Sequence, residues 1–472
     1  MDSQPGATPY SAPAGCPMHE ERQTSLYGPE FASDPHRVYD AFRANGPASP
    51  IELAPGVEAT LVVQHEAALR VLQNPALFAR DSRRWTALRE GRVPLDSPVL
   101  PMMAYRPNCL FTDGAEHLRL RKAVTESLGR LNFSRLSRDV ERIGDYLIDQ
   151  FIERGSADLL GEYAKLLPLL LFNQLFGCPG DIGDRLTRSM SAIFDGEDVL
   201  RANDELTECL MELVALKRRQ PGEDITSWLI QHPAGLRDEE LKDQLVMLMG
   251  AGVEPERNLI ANALLLLLSG DTPGPGSERR GSGMLVEDAL DDVLWNNPPI
   301  ANYATHYPVQ DIELDGVTLK AGTPVLISFA AANSDPALTD ARQTLSKGAH
   351  LAWGAGPHVC PAKSPAQLIA LTAIEKILNT VPDLALAVHP SGVEWRPGPF
   401  HRALVALPVR FSPTPARGSG TAVRTPATPT AQPAGQASPA PAAPAATPHH
   451  HAAHAQKKSK GWWSSFLDVF RV

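Results

Sequence analysis

Hydrophobic positions recur at helical spacing over most of the chain between residues 25 and 412. Apolar side chains three and four apart share one face of a helix and call for a common burial partner. On that ground the pattern predicts helices from Asp34 to Asn45, His65 to Gln73, Glu116 to Leu131, Leu136 to Glu153, Leu159 to Phe176, Val199 to Arg219 and Pro365 to Asn379. Asp238 to Ser269 reads as one very long helix, and its stretch Leu259 to Leu268 is apolar except for Asn262. A globular helix of that length crosses the molecular centre. Val57 to Val63 reads as a strand, as do Ile312-Glu-Leu, Val317-Thr-Leu and Pro324 to Phe329, with Asp315-Gly316 as hairpin chemistry between the middle pair. The expected fold class is mainly α with a small β subdomain.

Composition divides the chain further. Residues 1–24 are a loose, Pro-rich leader without the basic start and apolar centre of a secretion signal. Residues 413–456 are dominated by Pro, Ala, Thr, Ser and Gly, a composition that cannot bury enough surface to fold and reads as a disordered linker. Residues 457–472 follow as a basic-aromatic block. On a helix, Trp462, Trp463, Phe466, Leu467, Val469 and Phe470 gather on one face, behind Lys457, Lys458 and Lys460. Such a tail suits docking on a protein groove or an anionic membrane surface. From residue 413 onward six basic residues stand against one acid; the net charge is −10, which leaves about −15 on the body. That balance argues against a nucleic-acid enzyme. No run of eighteen apolar residues exists, and the expected location is cytoplasmic, with the tail offering a peripheral place at the inner face of the membrane. The five cysteines are scattered and form no Cys-x-x-Cys pair, so neither a disulfide framework nor a zinc site is expected.

The chemistry concentrates in His350-Leu-Ala-Trp353-Gly354-Ala-Gly356-Pro-His358-Val-Cys360-Pro-Ala362, just ahead of the last helix. A thiolate at a helix N-terminus gains from backbone N–H donors and the helix dipole. Glycines let a backbone pass close to a flat macrocycle. A thiolate ligand pushes electron density onto iron.

This segment resembles the haem-binding signature of the cytochromes P450, with Trp353 in place of the usual Phe and Ala362 in place of the Gly after the cysteine; Gly354, Gly356, His358 and Cys360 match. The resemblance covers roughly residues 25–412. It implies the P450 fold, a b-type haem on Cys360, a hydrophobic small-molecule substrate and a ferredoxin-type electron donor docking near Lys122, Arg130 and Lys363. Thr112-Asp-Gly-Ala-Glu-His117-Leu-Arg-Leu-Arg121 resembles the block whose two basic positions hold the haem propionates. His358 would be a third donor, and His306 falls where the family often has Arg. Substrate would be lined by residues 84–110, 246–253, 300–305 and 400–404.

Three departures stand out. Gly250-Ala-Gly252-Val-Glu254-Pro255-Glu256 keeps the Gly and acid of the oxygen-activating motif, but Pro255 replaces its Thr. Proline has no side-chain donor and is expected to kink the helix, which makes Glu254 and Glu256 the candidates for proton supply. The family's Glu-x-x-Arg ion pair falls on Asp292 and Trp295, so no ion pair forms there, and a packed Trp with its N–H on an acceptor is expected instead. The Gly/Pro-rich stretch 271–283 replaces a common helical element. These departures together resemble actinobacterial members lacking Glu-x-x-Arg, encoded in conservon operons beside a sensor-kinase-like, a roadblock-type and a small GTPase-like protein. The expected function is a monooxygenase inserting one oxygen atom from O2 or, by a second route, from peroxide. A haem-bearing signalling or scaffold module of low turnover in a GTPase-type complex is the rival expectation.

Overall fold

The computed structural model describes residues 24–195, 198–270, 284–339 and 346–416. The leader up to residue 23, the loop 271–283, most of the linker and the tail 457–472 lie outside the described residues.

The long helix forms as the sequence predicts, Asp238–Ser269, and it carries the architecture. Its first half buries Leu241, Leu245, Met249 and Val253 against helices Ile225–Gln231 and Val199–Arg219. Its second half buries Leu259, Ile260, Leu264 and Leu267 against Phe133–Asp149, Val286–Asn296 and Lys363–Thr380. One helix thus belongs to two cores, which is why its apolar positions run round more than one face. Pro255 lies inside it, and the helix continues past it.

Caps explain several boundaries. Asp34 accepts the N–H of Arg37 and starts Pro35–Asn45, and Asn132 accepts the N–H of Arg135 and starts Phe133–Asp149. Two expected helices are interrupted. Leu136 to Glu153 ends at Asp149 and resumes only as a short 3-10 turn, Ile152–Arg154. Leu159 to Phe176 is a π-helical turn over Leu160–Ala164 followed by helix Leu166–Phe176. Helix Gly180–Asp195 and strand Ala48–Ala54, for which no pattern was read, complete the body.

The β subdomain is a six-stranded sheet ordered β1-β2-β3-β9-β6-β4, where β1 is Thr24–Ser25, β2 Ala48–Ala54, β3 Val57–Val62, β4 Phe78–Ala79, β6 Asn302–Pro308 and β9 Val325–Ser328. β5 (Ser156–Asp158) joins β10 (Ala385–Leu386) and β11 (Pro408–Arg410) in a three-stranded sheet. The predicted hairpin pairs β7 (Ile312–Leu314) with β8 (Val317–Leu319). Its turn places Asp315 at φ 45° and Gly316 at φ 88°, as a two-residue Asp-Gly loop requires. Strand β1 pairs with β2, and at the far end the Ala416 N–H donates to Glu153 at 3.0 Å. Among the described residues no helix is long and apolar enough to cross a membrane.

Candidate cofactor site

The cysteine loop is built by two left-handed glycines. Gly354 has φ 73° and Gly356 φ 68°, values that favour glycine over any residue with a Cβ. A Cβ on Gly356 would stand 2.3 Å from the Leu72 carbonyl oxygen, so helix His65–Leu72 presses directly on the loop. The requirement for glycine at 356 therefore comes from a neighbouring helix end, and only Gly354 of the two borders the cavity below. The loop closes when the Cys360 N–H donates to the Trp353 carbonyl at 2.7 Å. Helix Lys363–Thr380 starts three residues later. Burial raises the Cys360 thiol, while the N–H of Ala362 and the charge of Arg121 act the other way.

Behind the loop stands Trp295, at the position that the sequence resemblance gives to the Arg of Glu-x-x-Arg. It is buried, its Nε1–H donates to the Lys347 carbonyl at 2.5 Å, and its ring meets His350 edge-on. Asp292 is exposed, so the two residues never approach as partners. Asn333 ties the same helix to the loop: it donates to the Leu294 carbonyl at 3.1 Å and accepts the Leu351 N–H at 2.7 Å.

Cys360 opens on a cavity of about 270 Å³. Its walls are mostly apolar, including Phe172, Leu175, Met247, Leu248, Ile300 and Tyr303. The expected substrate segments are only partly present. Cys109 and Leu110 represent the stretch 84–110, and none of residues 400–404 reaches the cavity; Phe400 packs behind Tyr303, ring centroids 5.7 Å apart.

Cationic and imidazole side chains collect at the same cavity. Arg80, Arg121, His306 and His358 border it. His306 Nδ1 and Arg80 Nη1 are buried without a hydrogen-bond partner among the described residues. His306 is aimed by a break in the β6–β9 register between Tyr303 and His306, where Ala304 takes φ 50°. His117 does not border the cavity; it stacks behind His358, ring centroids 4.0 Å apart, with its Nε2 unpartnered. Burial lowers the pKa of all three histidines, and Arg80 adds to the effect on His306 and His358. Arg121 is already engaged, donating to the Val359 carbonyl beside the cysteine and to Thr125 Oγ1 at 3.2 Å.

Arg80 is a site residue that the sequence reading missed. Asp113 accepts the N–H groups of Arg80 and Asp81 at 3.0–3.1 Å, which pins the end of β4 to the start of helix Gly114–Leu128. The available signal was a charged residue directly after the apolar pair Phe78-Ala79.

The long helix presents Ala251, Gly252, Pro255 and Glu256 to the cavity. A Cβ on Gly252 would fall 2.2 Å from Phe172 Cζ, so the glycine seats that ring. The two acids diverge. Glu254 is buried away from the cavity, bonded to Arg257 at 3.2 Å, to Asn258 at 3.2 Å and to Arg396. Burial alone would raise its pKa, but Arg396 and Arg257 outweigh burial and hold it low. Glu256 is buried with Oε1 unpartnered, and burial pushes its pKa well up.

A flat tetrapyrrole with two carboxylates would need a side chain able to ligate its metal, apolar walls and hydrogen-bond donors for its acid groups. Cys360, the apolar lining and the unpartnered donors of Arg80 and His306 meet those three needs.

No family model matches the chain. Among curated proteins it is 33% identical over 399 residues to cytochrome P450 monooxygenase PikC of Streptomyces venezuelae, covering 81% of this chain and 92% of that protein. It is 31% identical over 401 residues to nocardicin C N-oxygenase of Nocardia uniformis subsp. tsuyamanensis, covering 82% and 98%. Among solved structures, CYP154C4 from Streptomyces sp. ATCC 11861 aligns with a TM-score of 0.74 at 26% identity, covering 83% of this chain and 98% of that one. CYP154A1 from Streptomyces coelicolor A3(2) aligns at 0.70 and 27%, covering 82% and 100%. Identity of this extent, along nearly the full length of PikC and joined to the same fold, makes the chain a member of the cytochrome P450 family of monooxygenases.

Proposed function

We propose that this enzyme is a haem-thiolate monooxygenase that holds a b-type haem through Cys360 and inserts one oxygen atom into a hydrophobic small molecule. The observation that carries the reading is Cys360 facing an apolar cavity that also contains buried donors without acceptors. When bound, the haem supplies the chemistry of electron uptake and oxygen activation. The chain's own residues do the rest. Arg80, His306 and His358 bind the propionates, with His117 supporting His358 from behind and Arg121 bracing the cysteine loop. Trp353 and Gly354 lie against the macrocycle, and Gly356 shapes the loop that carries them. Gly252 seats the Phe172 ring, which walls the cavity beside it.

Pro255 offers no side-chain donor, so Glu256 is the acid that holds a proton at the cavity, while Glu254 anchors the buried arginines beside it. Electrons come from a ferredoxin-type protein docking around Lys122, Arg130 and Lys363; peroxide is the alternative oxidant. The apolar lining favours a substrate recognised by shape with few polar anchors. The tail 457–472 is a docking element for a protein groove or an anionic membrane surface, outside the oxygenase body.

The test is the carbon-monoxide difference spectrum of the reduced protein. A red-shifted thiolate-type band is expected for the wild type and its loss for Cys360→Ala. Wild type without bound haem overturns the reading.

A further inference from the structure

Near the C-terminal end of the body the chain folds back on itself, with Trp395 bridged to Leu404 and His401 bridged to Ile300. Between this turn, helix Pro35–Asn45 and the end of helix Val286–Asn296 lies a second cavity, of about 10 Å³. Its nitrogen-bearing lining is His36, Asn296, Asn297, Arg396, His401 and Arg402. Among the described residues no Asp or Glu borders it.

The charges around this cavity do not balance. Arg396 donates to Glu254, which lies outside the lining, so that guanidinium has its carboxylate. Arg402 has none. Its backbone is fixed, with the N–H donating to the Pro299 carbonyl at 3.0 Å and the carbonyl accepting from Asn262 at 2.9 Å. Its side chain is fixed too: Nη1 donates to the Ala32 carbonyl, and the guanidinium lies 3.5 Å over the Trp395 ring. Its Nε is buried with no hydrogen-bond partner, and among the described residues Arg402 makes no ion pair. Burial brings its pKa down to about 10, and Tyr39 and Asp34, acting through space, offset that only in part.

A guanidinium held away from water calls for an acceptor of opposite charge, and a charge-assisted bond is the strong kind. One positive charge is unmatched, so one monovalent anion completes the set. The size of the cavity restricts the choice further. About 10 Å³ is close to the room that one water-sized body needs, which excludes phosphate, sulfate and organic acids and leaves a monatomic anion.

We propose that this cavity is a halide site, filled by one chloride ion that takes the Nε–H of Arg402 and is walled by His36 and His401. The ion clamps the turn 395–404 onto helix Pro35–Asn45. Because Arg396 of the same turn holds Glu254, the clamp also steadies the buried end of that pair on the long helix. The site is separate from the Cys360 cavity and does not rest on the haem-thiolate reading.

The test uses the full chain as purified, with chloride itself as the probe. The urea midpoint of wild type is expected to rise with chloride and then level off, as occupancy of one site requires, while gluconate at equal ionic strength gives no such rise. The ³⁵Cl resonance of the solution is expected to be broadened by wild type, and the excess width to be lost in Arg402→Met, which keeps an apolar stem over Trp395 and removes the charge. Equal midpoints in chloride and gluconate overturn the proposal and leave the cavity to water. Broadening that Arg402→Met retains places the bound halide elsewhere and overturns it as well. Should Arg402→Met fail to fold, wild-type crystals soaked in bromide decide: an anomalous peak bordered by His36, His401 and Arg402 supports the site, and no peak there overturns it.

Discussion

The indole Nε1–H of Trp295 donates to the backbone carbonyl of Lys347 at 2.5 Å, and this bond ties helix Val286–Asn296 to the segment that leads into the cysteine loop. The same ring stands at 81° to His350, whose imidazole burial and Lys363 together lower to a pKa of about 4. A neutral aromatic pair with one backbone hydrogen bond avoids the desolvation that a buried charge incurs. Trp295→Ala removes the largest filler of this region and is expected to destabilise the protein by about 3–5 kcal/mol in urea unfolding. Trp295→Arg is expected to do at least as much harm, because it places a charge where a buried, neutral ring now packs. Equal stability of Trp295→Arg and wild type would show that a hidden acid completes the old ion pair.

Gly252 and Phe172 are predicted to be energetically coupled. The Phe172 ring occupies the space a Cβ at 252 would need, and it also meets Phe176 edge-on at 5.7 Å. Gly252→Ala overpacks the contact and is expected to lose about 1–3 kcal/mol. Phe172→Leu relieves the crowding, so the double variant is expected to be more stable than the sum of the single effects by about 0.5–3 kcal/mol. A double-mutant cycle in chemical denaturation measures the difference, and strict additivity would refute the contact.

Legibility of this chain follows range. Features fixed by neighbours in sequence were readable: the ends of Asp238–Ser269 and the Asp315-Gly316 turn. The cysteine loop was readable because its glycines and cysteine act within a few residues of one another. Features set by long-range packing were not. Strand Ala48–Ala54 is buried at five of its seven positions, and its alternation is confined to the short stretch Ser49–Leu53. Gly356 is demanded by Leu72, nearly three hundred residues away in sequence. Glu254 and Glu256 look interchangeable in sequence, yet two residues along a helix turn a side chain through about 200°, which sends one to Arg396 and the other to the cavity. The stack of His117 on His358 is likewise a contact between residues far apart in sequence, which no spacing could show.

Arg80 tests the donor set directly. It is 4% exposed, its Nε donates to the Leu110 carbonyl at 3.4 Å and its Nη1 has no acceptor. A charge-assisted hydrogen bond contributes about 1.5–3 kcal/mol, so Arg80→Leu is expected to speed haem loss about tenfold to a hundredfold. The main-chain bonds of residue 80 to Asp113 survive the substitution, so the loop itself should persist. Transfer of haem to an excess of a haem-scavenging apoprotein gives the rate. An unchanged rate would remove Arg80 from the site.

The two acids of the long helix should respond to pH with opposite signs. Glu254 has its pKa held low in the folded chain, so it contributes stability above the unfolded carboxylate value that is lost as pH falls through the folded one. Removing it leaves Arg257 buried without its carboxylate, and Glu254→Gln is expected to destabilise by about 3–5 kcal/mol at neutral pH. Glu256 has its pKa raised, so the folded chain binds its proton more tightly than the unfolded chain does. Its contribution is present below the unfolded value and declines by about 1.4 kcal/mol per pH unit above it, until the folded group ionises. Glu256→Gln substitutes a neutral group of the same shape and removes that decline. It is therefore expected to match wild type in acid and to exceed it at neutral pH, while Glu254→Gln falls below wild type at neutral pH and approaches it in acid. Urea unfolding of the haem-free chains from acid to neutral pH separates the two. Parallel curves for Glu256→Gln and wild type would mean that Glu256 is an ordinary ionised carboxylate, and the proton assigned to it at the cavity would have no holder.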